Sequence, residues 1–194
     1  FRLAALGLSS FFALLFTAYV LWCAGEWTLR RFVYENDAFD IRQVDLQTDG
    51  VIAVDQLRRW TGVKPGQNLF AIDLAQVQRR LELIPMIKAA SLERVFPSTL
   101  VVRIVEREPL AQVYVPRPRA GDGLVNQTFH IDPEGYVMLP LDPRYRAASI
   151  PPEFEQYSTL TGVDVNELQP GRRIQSPKVQ SALQLLLAFE QSPM

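Results

Sequence analysis

From Leu3 to Gly25 the chain reads LAALGLSSFFALLFTAYVLWCAG, 23 residues without one charge. As a helix this run is roughly 34 Å long at about 1.5 Å per residue, enough to cross a hydrocarbon core of about 30 Å. Tyr19, Trp22 and Trp27 gather toward one end, where aromatic side chains favour the lipid–water boundary. A secretory signal has a shorter apolar part, about 7–15 residues, and a lipoprotein signal needs small residues where Trp22 precedes Cys23. A buried helix of a soluble protein rarely runs so far without a charge. The run is therefore read as a transmembrane helix over 3–25, followed by a mixed aromatic and charged juxtamembrane stalk over 26–38. Charge leaves its orientation open. Arg2 flanks one side, Arg30 and Arg31 the other, and a start at Phe1 rather than Met leaves room for an upstream basic tail.

The rest of the chain has the texture of compact domains. Of 194 residues, 48% are apolar and 21% charged, too apolar for a disordered tail. A net charge of −1 gives no basic field for nucleic acid. Cys23 is the only cysteine, so the part beyond the apolar run has neither a disulfide framework nor a cysteine metal site.

From Phe39, FDIRQVDLQT is strand-like, and the uneven spacing of Ile41, Val44 and Leu46 predicts a bulge. After the Asp49-Gly50 turn, VDQLRRWT forms a short helix with Leu57 and Trp60 on one face and Gly62 closing it. KPGQN connects to a second helix, IDLAQVQRRLELIP. Asp73 can cap it, with Gln76 completing a capping box; Leu74, Val77, Leu81 and Ile84 share a face, and Pro85 ends it. Two strands, Ile87–Val95 and Leu100–Val105, flank a turn over Phe96–Thr99. Leu100, Val102 and Ile104 make a core face; Val101, Arg103 and Val105 make a half-wet one. The order β-α-α-β-β predicts two helices across a three-stranded sheet.

Beyond Pro109 come a strand (LAQVYV), a Pro- and Gly-rich loop (VPRPRAGDG), a strand (LVNQTFHI), a DPEG turn and a further strand (YVMLPL). An irregular stretch precedes a helix, SPKVQSALQLLLAFEQ, with Ser176 as N-cap, Pro177 in its first position, and Val179, Leu183, Leu186 and Phe189 as its apolar face. The fold class is α+β: a transmembrane helix, a β-α-α-β-β domain, and a second mixed domain of antiparallel sheet with a helix. That helix needs more sheet than is visible, so the second domain is expected to continue past Met194.

No catalytic constellation emerges. His130 is the only histidine, and His130, Asp132 and Glu134 read as a strand end and a turn rather than a metal site. Nucleophile elbows and phosphate loops are lacking, so no enzyme activity, cofactor or metal is expected. What remains is surface: a small sheet with edges that a partner chain can extend.

The run from Phe39 to Val113 resembles the POTRA domain of the bacterial cell-division family FtsQ, also called DivIB. The matching pieces are FDIRQVDLQTDG, LRRWTGVKPGQNLFAIDLAQVQRRLELIP and IKAASLERVFPSTLVVRIVEREPLA. Gly66, Asn68, Leu69, Phe70, Ile72 and Asp73 match the family's G-x-N-L-F-x-I-D. Arg94, Pro97, Thr99 and Leu100 match R-x-x-P-x-T-L; Glu106, Arg107, Pro109 and Ala111 match E-R-x-P-x-A. FHIDPEGYVM and Leu160-Thr161-Gly162 resemble the family's β domain. The resemblance implies boundaries of 39–108 for the POTRA domain and 109–194 for an incomplete β domain. It also implies an inner-membrane, single-pass protein with a cytoplasmic N-terminus and its bulk outside, at the division septum. The implied role is a non-catalytic scaffold. The implied partners are FtsB/DivIC-like and FtsL-like bitopic proteins and the septal peptidoglycan synthesis machinery. The motif residues are implied to serve the fold, with Arg94 and Glu106 expected to pair across the hairpin. Two other classes fit parts of the pattern: a POTRA module of outer-membrane protein assembly or secretion, and a membrane-anchored cell-wall enzyme. The apolar run argues against the first, and the second needs an acid/base constellation outside this chain.

Overall fold

The computed structural model describes residues 2–29, 31–32, 36–118, 124–147 and 157–191, with side-chain surroundings from residue 13 onward. The tip of the VPRPRAGDG loop (119–123), part of the expected stalk (30, 33–35) and part of the irregular stretch (148–156) lie outside the described residues. Contacts divide the chain into two compact units. One holds 1–44, 64–73 and 94–100; the other holds 45–63, 74–93 and 101–194.

In the first unit, helix α1 spans Arg2–Leu29. Among the described residues no helix is long and apolar enough to cross a membrane. The stretch of α1 with described side chains, from residue 13 on, is shorter than the ~20 residues a span takes. Asp37–Phe39 form a 3₁₀ turn capped by Asn36, whose side chain accepts from the Ala38 N–H. Phe39 is therefore a turn residue rather than the start of a strand. The expected bulge follows: the N–H groups of Arg42 and Gln43 both donate to the Ser98 carbonyl, at 2.9 and 3.3 Å. Strand β1 then runs Gln43–Thr48. Among the described residues of this unit, Ile41, Leu69 and Leu100 are the buried apolar side chains.

In the second unit, α2 is Val54–Thr61 and α3 is Leu74–Glu82. Gly62 ends α2 in the left-handed region at φ 67°, where a side chain would be strained. Leu57 and Leu81 are wholly buried, as the apolar spacing of both helices requires. Strands β2 (Ile87–Val95) and β3 (Thr99–Glu106) form a hairpin, and β3 takes the middle of a three-stranded sheet in the order β1-β3-β2. Leu100, Val102 and Ile104 are buried, as the core face requires, and Arg103 and Val105 are exposed, but Val101 on the expected half-wet face is buried at 7% exposure, so that face is wet only toward the end of β3.

A second sheet has the order β6-β5-β4-β7. Strand β4 (Ala111–Pro118) pairs antiparallel with β5 (Leu124–Ile131), from Ala111↔Ile131 to Pro118↔Leu124. The Pro-rich stretch expected to be a loop is thus partly strand. The reason lies in the backbone: the Gln112 carbonyl accepts from the Leu160 N–H at 2.9 Å, on the side away from β5. Period two puts the nitrogens of Pro116 and Pro118 on that same side, so neither removes a bond to β5. Strand β6 is only Val137–Met138, and β7 is Ser158–Thr159, parallel to β4. Helix α4, Pro177–Glu190, lays Val179 and Leu183 on Val113, Val115, Phe129, Ile131 and Val137. Ser176 is the N-cap of α4 and Pro177 its first residue, as expected; the Ser176 carbonyl accepts the first helical bond, from the Gln180 N–H, while its hydroxyl makes no capping bond. One expectation for α4 fails. Phe189 is 70% exposed, because the buried stripe continues through Leu186 and Leu187.

Candidate functional site

The G-x-N-L-F-x-I-D residues build one tight loop. Gly66, at φ 85°, donates its N–H to the Ile41 carbonyl at 2.9 Å; Ile41 in turn donates to the Gln67 carbonyl at 2.8 Å. The Asn68 side-chain oxygen accepts from the Phe70 N–H at 2.9 Å, an Asx turn that swings Leu69 into the core and Phe70 outward. Asp73 is exposed at the entry to α3. Arg94 reaches this loop from the hairpin. Its Nε donates to the Leu69 carbonyl at 2.9 Å and its Nη2 to the Ile72 carbonyl at 2.7 Å. The expected pair with Glu106 is therefore replaced: the planar fork of Arg94 matches two convergent carbonyls of an irregular loop. Pro97 is exposed at the hairpin tip, and Leu100 is buried beneath it. Three rings meet here. Phe39 lies edge-on to Phe70 at 5.1 Å, and Phe70 stacks on Phe96 at 5.3 Å, yet Phe96 remains 58% exposed.

The E-R-x-P residues build a second cluster. The buried Glu106 carboxylate accepts from the Val51 N–H at 2.9 Å, the Ile52 N–H at 3.1 Å and the Thr48 hydroxyl. It closes the Asp49-Gly50 turn so tightly that a Cβ on Gly50 would stand 2.3 Å from its carboxyl carbon. Arg107 turns the other way. Its guanidinium donates to Asp132 at 2.7 Å, lies 3.6 Å from Glu134, and stacks 3.9 Å over the Tyr136 ring. Lys88 holds the other oxygen of Glu134 at 2.6 Å. That hydrogen bond, reinforced by the charges, keeps the Glu134 carboxyl below the usual range and raises the Lys88 ammonium. The DPEG turn is thus clamped by cations from β2 and the end of β3. His130, Asp132 and Glu134 diverge: two go to cations, while His130 packs edge-on against Tyr157 at 4.9 Å. Among the described residues no group of His, Cys, Asp and Glu converges on a metal position.

Pro109 lines a cavity of about 370 Å³ with Glu106, Glu108, His130, Arg146 and Tyr157 among its walls. Burial, and then the Arg146 charge, hold the His130 imidazole below its ordinary value; burial raises the Tyr157 hydroxyl. The arrangement couples strands and turns.

The second sheet offers an edge. Among the described residues β4 has a strand partner opposite β5 only at Ala111 and Gln112. Past that point, a groove of about 210 Å³ runs beside Val113–Pro116, walled by Leu160, Val163 and Val165. Tyr114 is 46% exposed there, and its backbone faces the groove. On the opposite side β6 covers β5 at His130 and Ile131, and Val137 of β6 is itself covered, exchanging backbone bonds with Gly171 and Arg172. Sequence reading located the motif residues but missed Lys88, Tyr136, Phe39 and Phe96. These are joined to the motifs only by tertiary contacts, and no local spacing marks them.

Comparisons with known proteins agree with this layout. Residues 39–107 match the family described as POTRA domain, FtsQ-type. The chain is 26% identical over 156 residues to a protein named Cell division protein FtsQ from Syntrophotalea carbinolica, covering 80% of this chain and 49% of the relative. It is 26% identical over 170 residues to the Cell division protein FtsQ of Myxococcus fulvus, covering 80% of this chain and 59% of that protein. A 60-residue stretch is 40% identical to the Cell division protein FtsQ of Cellvibrio japonicus, covering 31% of this chain and 17% of the relative. The chain thus spans about half the length of the first of these relatives and about three fifths of the second.

Proposed function

We propose that the chain belongs to the FtsQ/DivIB family, on the match of residues 39–107 and the similarity to proteins named Cell division protein FtsQ, and that it is a non-catalytic scaffold of the bacterial division complex. In this reading α1 anchors it in the inner membrane through 3–25, with the N-terminus in the cytoplasm and the two domains, 39–108 and 109–194, outside. It links early cytoplasmic to late extracytoplasmic division proteins at the septum. Its partners are FtsB/DivIC-like and FtsL-like bitopic proteins and, through them, the peptidoglycan synthesis machinery. The motif residues act as framework: Arg94 with Gly66, Asn68 and Leu69 fixes the loop that carries Phe70, and Glu106 and Arg107 fix the turns on either side of Pro109.

The observation that carries the reading is the match of residues 39–107 to the FtsQ-type POTRA domain. Supporting it is the open stretch of the β4 edge at Tyr114, beside the groove walled by Leu160, Val163 and Val165, where a partner segment can dock, with Pro116 and Pro118 limiting backbone pairing to the Tyr114 position. The test is isolation of the full-length protein from dividing cells, with a photo-crosslinker in place of Tyr114. Covalent adducts with an FtsL-like or FtsB-like partner are expected. An intact, membrane-bound protein that isolates alone, without those partners, would refute the scaffold reading.

A further inference from the structure

We propose that the ring cluster of Phe39, Phe70 and Phe96 seats on the lipid surface beside the anchor helix, as a second, reversible membrane contact. The inference rests on the reading that α1 spans the membrane. Phe96 and Val95 are 58% and 42% exposed at the hairpin tip, an unusual place for a stacked aromatic cluster on a soluble surface. The cluster is held ready by framework bonds. Leu69 donates to the Phe39 carbonyl at 2.8 Å, Arg94 grips the carbonyls on both sides of Phe70, and the Phe39 ring lies 6.4 Å from Phe96.

The tether selects the occupant. Phe39 follows Leu29, the last residue of α1, by ten positions, so it stays within about 35 Å of the helix end even if the link is fully extended. That end of the helix carries exposed Trp22 and Trp27, and Phe32 follows, all of a kind that settles at the boundary of lipid and water. The charges within three residues of the rings, Asp37, Asp40, Arg42, Asp73, Glu93 and Arg94, have no basic excess. The contact is therefore one of aromatic insertion, and neutral lipid suffices for it.

The test uses the full-length protein in phosphatidylcholine nanodiscs, without partner proteins. One sample carries a nitroxide on native Cys23. Two others, in a Cys23→Ala background, carry it at Val95→Cys or Val165→Cys. Relaxation by oxygen, which concentrates in lipid, is compared with relaxation by an aqueous nickel chelate. The labels at 23 and 95 are expected to favour oxygen and the label at 165 to favour nickel. Adding Phe96→Ser should shift the label at 95 several-fold toward nickel. A label at 23 in lipid with a label at 95 as wet as that at 165 overturns the seating and leaves the anchor standing. A wet label at 23 overturns the anchor, and the seating with it.

Discussion

Removing the Arg107 guanidinium is the sharpest test of how the two halves of the second unit are joined. The Asp132 side chain is 3% exposed and that of Arg107 is 12% exposed, so the pair is desolvated. In an Arg107→Leu variant the Asp132 carboxylate keeps one named donor, the Tyr136 N–H at 2.7 Å. An uncompensated buried charge of this kind costs about 3–5 kcal/mol. Loss of the contact over the Tyr136 ring adds about 1 kcal/mol, and the longer approach to half-exposed Glu134 adds less than about 1 kcal/mol. A loss of about 4–6 kcal/mol is a large part of the roughly 5–15 kcal/mol that holds a typical domain together. Urea titration of the purified protein, read by hydrogen exchange at the amides of Gly135, Tyr136 and Val137, measures it. Arg107→Leu combined with Asp132→Asn should recover more than half of the loss, since the orphaned charge is gone. A single variant costing under about 1 kcal/mol, or a double variant no better than the single, would refute the argument.

Glu106→Ala leaves the Val51 and Ile52 amides without their acceptor and should cost about 2–6 kcal/mol in the same titration, at about 1–3 kcal/mol per orphaned group. Arg94→Lys should cost nearly as much as Arg94→Ala, about 2–4 kcal/mol, because one ammonium cannot span the Leu69 and Ile72 carbonyls; full rescue by Lys would contradict the fork geometry. His130 titrates below its ordinary value in the folded chain because it is buried. Its contribution is thus whole above about pH 6.5 and is lost as the pH falls below that toward the lowered folded value. Urea midpoints measured from pH 7.5 down to 5 should fall, and His130→Phe should flatten the fall while keeping a ring against Tyr157.

Local chemistry was legible in the sequence. Gly62 after an apolar-periodic helix, the DPEG turn, and the core face of Leu100, Val102 and Ile104 each depend on neighbours in the chain, and the structure has them where the pattern puts them. Side-chain partners were not legible. Arg94 sits at the turn end of the hairpin and Glu106 at its open end, where Arg107 donates to the Met86 carbonyl, so the expected ion pair is out of reach and each is drawn to backbone groups of irregular loops that no periodicity announces. Pro116 and Pro118 signal a loop when read alone. Only the neighbouring chain shows that their missing N–H groups face an edge that asks nothing of them. The ring cluster gathers Phe39, Phe70 and Phe96 from three separate segments, so its existence is a property of the fold.

The central claim is a membrane-anchored scaffold that works at the septum. Imaging the full-length protein in dividing cells, with a fluorescent tag on its N-terminus, tests it most directly. The account predicts a band at the division site, lost when Phe39–Ala111 is deleted while the membrane signal persists. A uniform membrane signal throughout the cell cycle, from the intact protein, would contradict it.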